Sequence, residues 1–135
     1  MVGSVADGLA RSGFDADLAY GQSRESAFVQ AITHARIEVK SDQKAHRTRN
    51  VFVEIRQGSS ERGKGRNSGL AITVAEWYVI EFEQDRFLVI RTSALKEIVR
   101  HVARERGTMM GGDGNRFEGV LVPLECFIEP SGIAP

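Results

Sequence analysis

Apolar and polar residues alternate strictly over 36–42. Ile37, Val39 and Ser41 share one face and Glu38, Lys40 and Asp42 the other, the period of a half-buried strand. A second run, 50–56, puts Val51, Val53 and Ile55 on one face and Phe52, Glu54 and Arg56 on the opposite one. The connection 43–49 is polar and basic and has the length of a wide hairpin, so the two strands are expected to be neighbours. Upstream the period changes: Phe28, Ala31 and Ile32 fall on one stripe of a helix predicted over 22–33, with Glu25 a turn earlier. Residues 14–21 read as a turn, and 1–13 as a short helix or a frayed end. Downstream, 57–69 reads as an exposed Gly/Ser/Arg/Lys loop and 70–77 as a short helix. Strands follow at 77–82 and 87–91, separated by a turn at Asp85-Arg86. Thr92 or Ser93 opens a helix through Arg106, with Leu95, Ile98, Val99 and Val102 as its apolar stripe and Gly107 as its stop. A turn at 111–115 and a short strand at 118–122 complete a single domain over 1–135. Its class is α/β or α+β, a mixed central sheet flanked by helices.

Composition narrows the class. The 135 residues are 41% hydrophobic and 27% charged, ordinary for a soluble globular protein. The lone Cys126 excludes an intrachain disulfide and a cysteine zinc cage. No apolar stretch approaches the roughly 20 residues of a membrane span, and no basic segment with an apolar core opens the chain. A cytoplasmic, reducing location is expected. Lys+Arg and Asp+Glu are both 18, which rules out a binder working on bulk charge. The charge is nonetheless uneven: residues 43–66 hold seven Lys/Arg against two acids.

That unevenness matters because of what it flanks. If the polar faces of 36–42 and 50–56 coincide, Glu38, Asp42 and Glu54 crowd together with Lys40 and Arg56. Carboxylates that close repel unless a cation sits between them. Mg²⁺ resolves the conflict with one or two carboxylates, water and substrate phosphate, and a neighbouring lysine can orient the attacking water. Glu25, just upstream, can supply a further carboxylate. The basic loops on either side are the footprint expected when a phosphodiester approaches such a centre. The competing readings are a solvated face of cross-strand ion pairs and a basic loop with no partner.

The succession Ile37-Glu38-Val39-Lys40-Ser41-Asp42, Asn50-Val51-Phe52-Val53-Glu54, Ser68-Gly69, then Thr73, Ala75, Glu76, Trp77 and Tyr78, resembles the PD-(D/E)XK nuclease superfamily. Within it, the chain is most similar to small phage-type endonucleases, of Holliday-junction-resolvase-like character. Gly112-Asp113 followed by Leu121-Val122-Pro123-Leu124 extends the resemblance over about residues 14 to 127. It implies a restriction-endonuclease-like core and phosphodiester hydrolysis dependent on Mg²⁺ or Mn²⁺.

Two registers of the motif are open. In one, Glu38-Val39-Lys40 is the (D/E)XK tripeptide and Asp17 or Glu25 the upstream acid. In the other, Asp42 is the leading acid and Glu54 the second. Lys40 then supplies the lysine from the neighbouring strand, because Arg56 holds the usual lysine position and stays protonated. The second register is favoured, since two acids on adjacent strands could grip one ion across 43–49. The expected site is therefore Asp42 and Glu54, aided by Glu38 or Glu25, around one or two ions, with Lys40 on the water. Lys44, Arg47, Arg49, Arg62, Lys64 and Arg66 would hold the backbone of double-stranded or branched DNA, and a homodimer would cut both strands. The rivals are an inactive nucleic-acid-binding or assembly module of the same fold, and a protein-interaction domain with a basic loop. His34, His46 and His101 show no metal-ligand spacing. Trp77 and Tyr78 suit a core better than base stacking. Ser68 and Thr73 could touch phosphate or position a loop. Cys126 reads as a small buried apolar residue.

Overall fold

The computed structural model describes residues 5–58 and 65–129, with side chains from 13 onward. Two compact units divide the chain, one ending at Ala35 and the other beginning at Arg36. The first unit is a helix, α1, Val5–Ile32. It reaches well upstream of the start expected at 22 and absorbs the predicted turn at 14–21. No proline interrupts this stretch, and its glycines weaken a helix by about 1 kcal/mol each without ending it. The end is well marked. The Thr33 N–H and hydroxyl both donate to the Val29 carbonyl, at 2.9 and 2.6 Å, and His34 takes a left-handed φ of 62°.

The second unit runs β1 (Ile37–Ser41), α2 (Ala45–Thr48), β2 (Asn50–Gln57), β3 (Arg66–Asn67) and a 3₁₀ turn at Gly69–Ala71. It continues with β4 (Trp77–Glu83), β5 (Arg86–Arg91), α3 (Thr92–Arg106), β6 (Met109–Gly111) and β7 (Phe117–Pro123). The strands form two sheets, β1-β4-β5 and β3-β2-β7-β6. β1 lies parallel to β4, and all other pairings are antiparallel. The class is thus α+β as expected, but the single central sheet is replaced by two.

The expected hairpin between 36–42 and 50–56 is also corrected: β1 and β2 belong to different sheets. The connection is no simple turn. Ala45 of α2 is fully buried, which ties this segment into the core, and Arg49 closes α2 in the left-handed region with φ 61°. The chain therefore crosses from one sheet to the other instead of folding back.

Burial explains the arrangement. Val51 and Val53 of β2 face Val122 and Val120 of β7 across the ladder. Tyr78 and Ile80 come from β4, and α3 adds Leu95, Val99 and Val102, one turn apart along its inner stripe. These residues form one core. The other face of β1-β4-β5 is different: Ile37 and Val39 of β1 and Phe87 and Val89 of β5 are all exposed. Among the described residues, no helix is long and apolar enough to cross a membrane.

Candidate active-site cleft

Residues 38 and 40 of β1 pair with Tyr78 and Ile80 of β4 in the parallel ladder, so Glu38 and Lys40 share the face that carries the core. They lie at the edge of that sheet, where β1 borders an open cleft of about 910 Å³. Its wall includes Arg36, Glu38, Lys40, Glu54, Arg66 and Thr73. Glu54 comes from the other sheet, where a bulge between Glu54 and Arg56 breaks the alternation of β2. Gly69 lies against the Glu54 backbone, with φ +52°. A Cβ at 69 would collide with the Glu54 carbonyl, so this approach requires glycine.

The Glu38 carboxylate is firmly held. Lys40 Nζ lies 2.8 Å from Oε1, and the Thr73 hydroxyl donates to Oε2 at 2.5 Å. These bonds pull its pKa below the usual carboxylate value against the opposing effect of burial, Lys40 being the larger cause. Thr73 is itself fixed, accepting the Ala75 N–H at 3.2 Å. The Tyr78 hydroxyl is pushed above its ordinary range, first by burial and then by the negative charges of Glu38 and Glu54. Both acids thus act on one buried phenol. Among the described residues, the Glu54 carboxylate makes no hydrogen bond or ion pair.

Of the residues singled out in the sequence, Glu38, Lys40, Glu54 and Arg66 come together in this cleft. Asp42 does not line it. Its Oδ1 accepts the Lys44 N–H at 3.1 Å and its Oδ2 the Phe52 N–H at 2.9 Å, so both oxygens stitch the β1–α2–β2 connection. The pairing of Asp42 with Glu54 across a hairpin gives way to Glu38 beside Glu54 in one cleft. Glu25 lies on α1 in the first unit, beside a groove with Gln22 and Ser26. Lys44, Arg47 and Arg49 are exposed on and around α2, while Arg62 and Lys64 lie outside the described residues. Arg66 is braced by Gln57 Oε1, to which its Nε and Nη2 donate at 3.1 and 2.8 Å. Arg56 is occupied elsewhere, donating to Asn67 Oδ1 at 3.1 Å and standing 3.8 Å from Glu118. Trp77 and Tyr78 are buried. Cys126 packs half-buried against the core, and burial raises its thiol pKa.

Sequence reasoning passed over Arg36 and left the role of Thr73 open. The period-two rule puts Arg36 on the Glu38–Lys40 face of the strand, a signal that was present. The Thr73–Glu38 bond spans 35 residues, and no local pattern encodes it.

No group of three or more His, Cys, Asp or Glu able to hold a metal occurs among the described residues. The donor set available in the cleft is two carboxylates. Mg²⁺, which takes one or two carboxylates and fills its shell with water and phosphate oxygens, fits that set; Zn²⁺ with its nitrogen and sulfur ligands does not. Glu38 keeps lone pairs beyond those used by Lys40 and Thr73. No family model, curated protein or solved structure matches the chain.

Proposed function

We propose that the chain is a metal-dependent nuclease of the PD-(D/E)XK type, with a restriction-endonuclease-like core, that hydrolyses DNA phosphodiesters in this cleft. One observation carries the reading: Glu38, Lys40 and Glu54, from strands of two different sheets, line one open polar cleft together with Arg36 and Arg66. Glu38-Val39-Lys40 then serves as the tripeptide, and Asp42 serves the fold. Glu38 and Glu54 would hold Mg²⁺ or Mn²⁺, which when bound polarises a phosphate and lowers the pKa of water. Lys40 orients the attacking water and offsets charge building on the phosphate. Arg36 and Arg66 hold the flanking backbone without reading its sequence. The exposed Lys44, Arg47 and Arg49 add positive charge elsewhere on the surface, and double-stranded or branched DNA is the substrate. A homodimer would cut both strands, and the exposed apolar face of β1-β4-β5 supports that association.

The test is cleavage of plasmid and four-way-junction DNA with Mg²⁺, by the wild type and by Glu54→Gln, Glu38→Gln and Lys40→Ala. Wild-type cutting stops on chelation, and each variant falls by roughly 10²-fold or more while its melting temperature stays close to wild type. Cutting unchanged in any variant removes that residue from the mechanism, and no cutting by the wild type removes the reading. A specific observation favours a second reading, a binding module without catalysis. Lys40 is already ion-paired with Glu38, and two acids are a minimal metal set. Calorimetric titration with Mg²⁺ separates the two, because the module binds DNA yet gives no saturable Mg²⁺ heat that Glu54→Gln abolishes.

A further inference from the structure

The segment 68–76 bridges the two sheets whose acids meet in the cleft. At its start the Ser68 N–H donates to the Ile55 carbonyl of β2 at 3.0 Å, and Gly69 lies against the Glu54 backbone. At its end the Glu76 N–H donates to the carbonyl of Arg36, the residue before β1, at 2.8 Å. Between them a tight turn is closed by the Ile72 and Thr73 N–H groups, which donate to the Gly69 carbonyl at 3.2 and 3.1 Å. Thr73 leaves this turn with its hydroxyl committed twice. It accepts the Ala75 N–H and gives its single proton to Glu38 Oε2. One short turn thus touches both the main chain that carries Glu54 and the carboxylate of Glu38.

The two partners of Glu38 differ in what they do to a dication. Lys40 Nζ, 2.8 Å from Oε1, is itself a cation, so like charge sets it against a metal at the same carboxylate. The Thr73 hydroxyl is neutral, and its bond to Oε2 can persist beside an ion. Among the described residues the cleft wall holds two carboxylates, Glu38 and Glu54, so no third acid compensates for one that swings away. We propose that Thr73 is a positioning residue, whose hydroxyl holds Glu38 in the orientation that binds the divalent metal together with Glu54. This deepens the nuclease reading and rests on it, assigning control of metal affinity to a side chain that acts through Glu38.

Mn²⁺ alone is titrated into the full-length chain, and the free ion is counted by its EPR signal. The wild type binds saturably. Thr73→Val keeps the shape of the side chain and removes the donor, and its Mn²⁺ affinity falls by roughly 10- to 100-fold. Thr73→Ser keeps the donor and the affinity. In plasmid cleavage the Mg²⁺ concentration for half-maximal cutting rises in Thr73→Val by the same factor, and saturating Mg²⁺ recovers most of the rate. A merely structural role would lower the melting temperature of Thr73→Val and leave its metal affinity unmoved. Equal affinity in Thr73→Val and the wild type overturns the proposal, as does a loss that Thr73→Ser shares. A wild type that binds no Mn²⁺ and cuts no DNA overturns the nuclease reading and this proposal together. A wild type that binds and cuts beside an unaltered Thr73→Val overturns this proposal alone.

Discussion

At the scale of the residue, the cleft favours opposite protonation states in two of its groups, an ionised Glu38 and a neutral Tyr78. Glu38 is stabilised as an anion by Lys40 and Thr73, so it keeps its charge into mild acid. Tyr78, buried beside Glu38 and Glu54, is stabilised in the neutral form, and its pKa lies above the ordinary 10.0. The stability that follows from the raised value is complete below the unfolded pKa. As the pH climbs beyond it, the unfolded chain loses the phenol proton while the folded chain retains it, so stability falls. The slope from this one group is at most about 1.4 kcal/mol per pH unit above roughly pH 10. Tyr78→Phe keeps the buried ring and removes the ionisation. Its melting temperature, measured from about pH 8 to pH 11, should decline less steeply than that of the wild type, the gap growing by roughly 5 °C per unit at the alkaline end. Parallel curves would show that the phenol titrates normally and that the two glutamates leave it unaffected.

At the scale of the element, alternation and helical stripes made β1, β2, β4, β5, α3 and β7 legible in the sequence, because a period reports which face of an element is buried. It does not report which element covers that face. The separation of β1 from β2 depended on Ala45 seating in the core and on Arg49 turning left-handed, neither of which disturbs a polar/apolar pattern. Asp42 was misplaced for the same reason, since an acid on the polar face of a strand looks alike whether it meets an ion or two backbone N–H groups. The cleft was half legible: Glu38, Lys40 and Glu54 stand out as ionisable residues on strands, whereas the segment that completes the wall is irregular. Gly69 is the pivot of that segment. Gly69→Ala meets two penalties, the left-handed φ and the collision with Glu54, while Gly114→Ala, left-handed at φ +66° and ψ +21° with only the flexible Arg116 side chain near its Cβ, meets only the first. Urea unfolding should therefore show a loss of about 1 kcal/mol for Gly114→Ala and a clearly larger one, roughly 2–4 kcal/mol, for Gly69→Ala. Equal losses would mean that the Gly69 segment yields freely and does not fix Glu54.

At the scale of the whole molecule, the sheet β1-β4-β5 has two unlike faces. One contributes Tyr78 and Ile80 to the core, and the other presents Ile37, Val39, Phe87 and Val89, at 47%, 61%, 50% and 48% exposure. Large apolar side chains grouped on one exposed face, on a chain whose 18 basic and 18 acidic residues cancel, favour association. Two copies carry no net charge to hold them apart, so the hydrophobic gain is opposed mainly by the entropy of docking. Val89 is suited to test this. It sits on β5 at the edge of the sheet opposite β1, and it does not line the Glu38–Glu54 cleft. A glutamate there must be desolvated in any interface on this face but stays in water in the monomer. Sedimentation at micromolar concentration should give twice the chain mass for the wild type and the single chain mass for Val89→Glu, with the two melting temperatures at low concentration within a few degrees. If the reading of a two-strand cut by paired copies is right, Val89→Glu still nicks one strand of a plasmid and loses linearisation, a separation that a damaged active site could not produce. A wild type that sediments as a single chain at every concentration removes the dimer from the proposed mechanism and leaves a nicking enzyme or a monomeric binder.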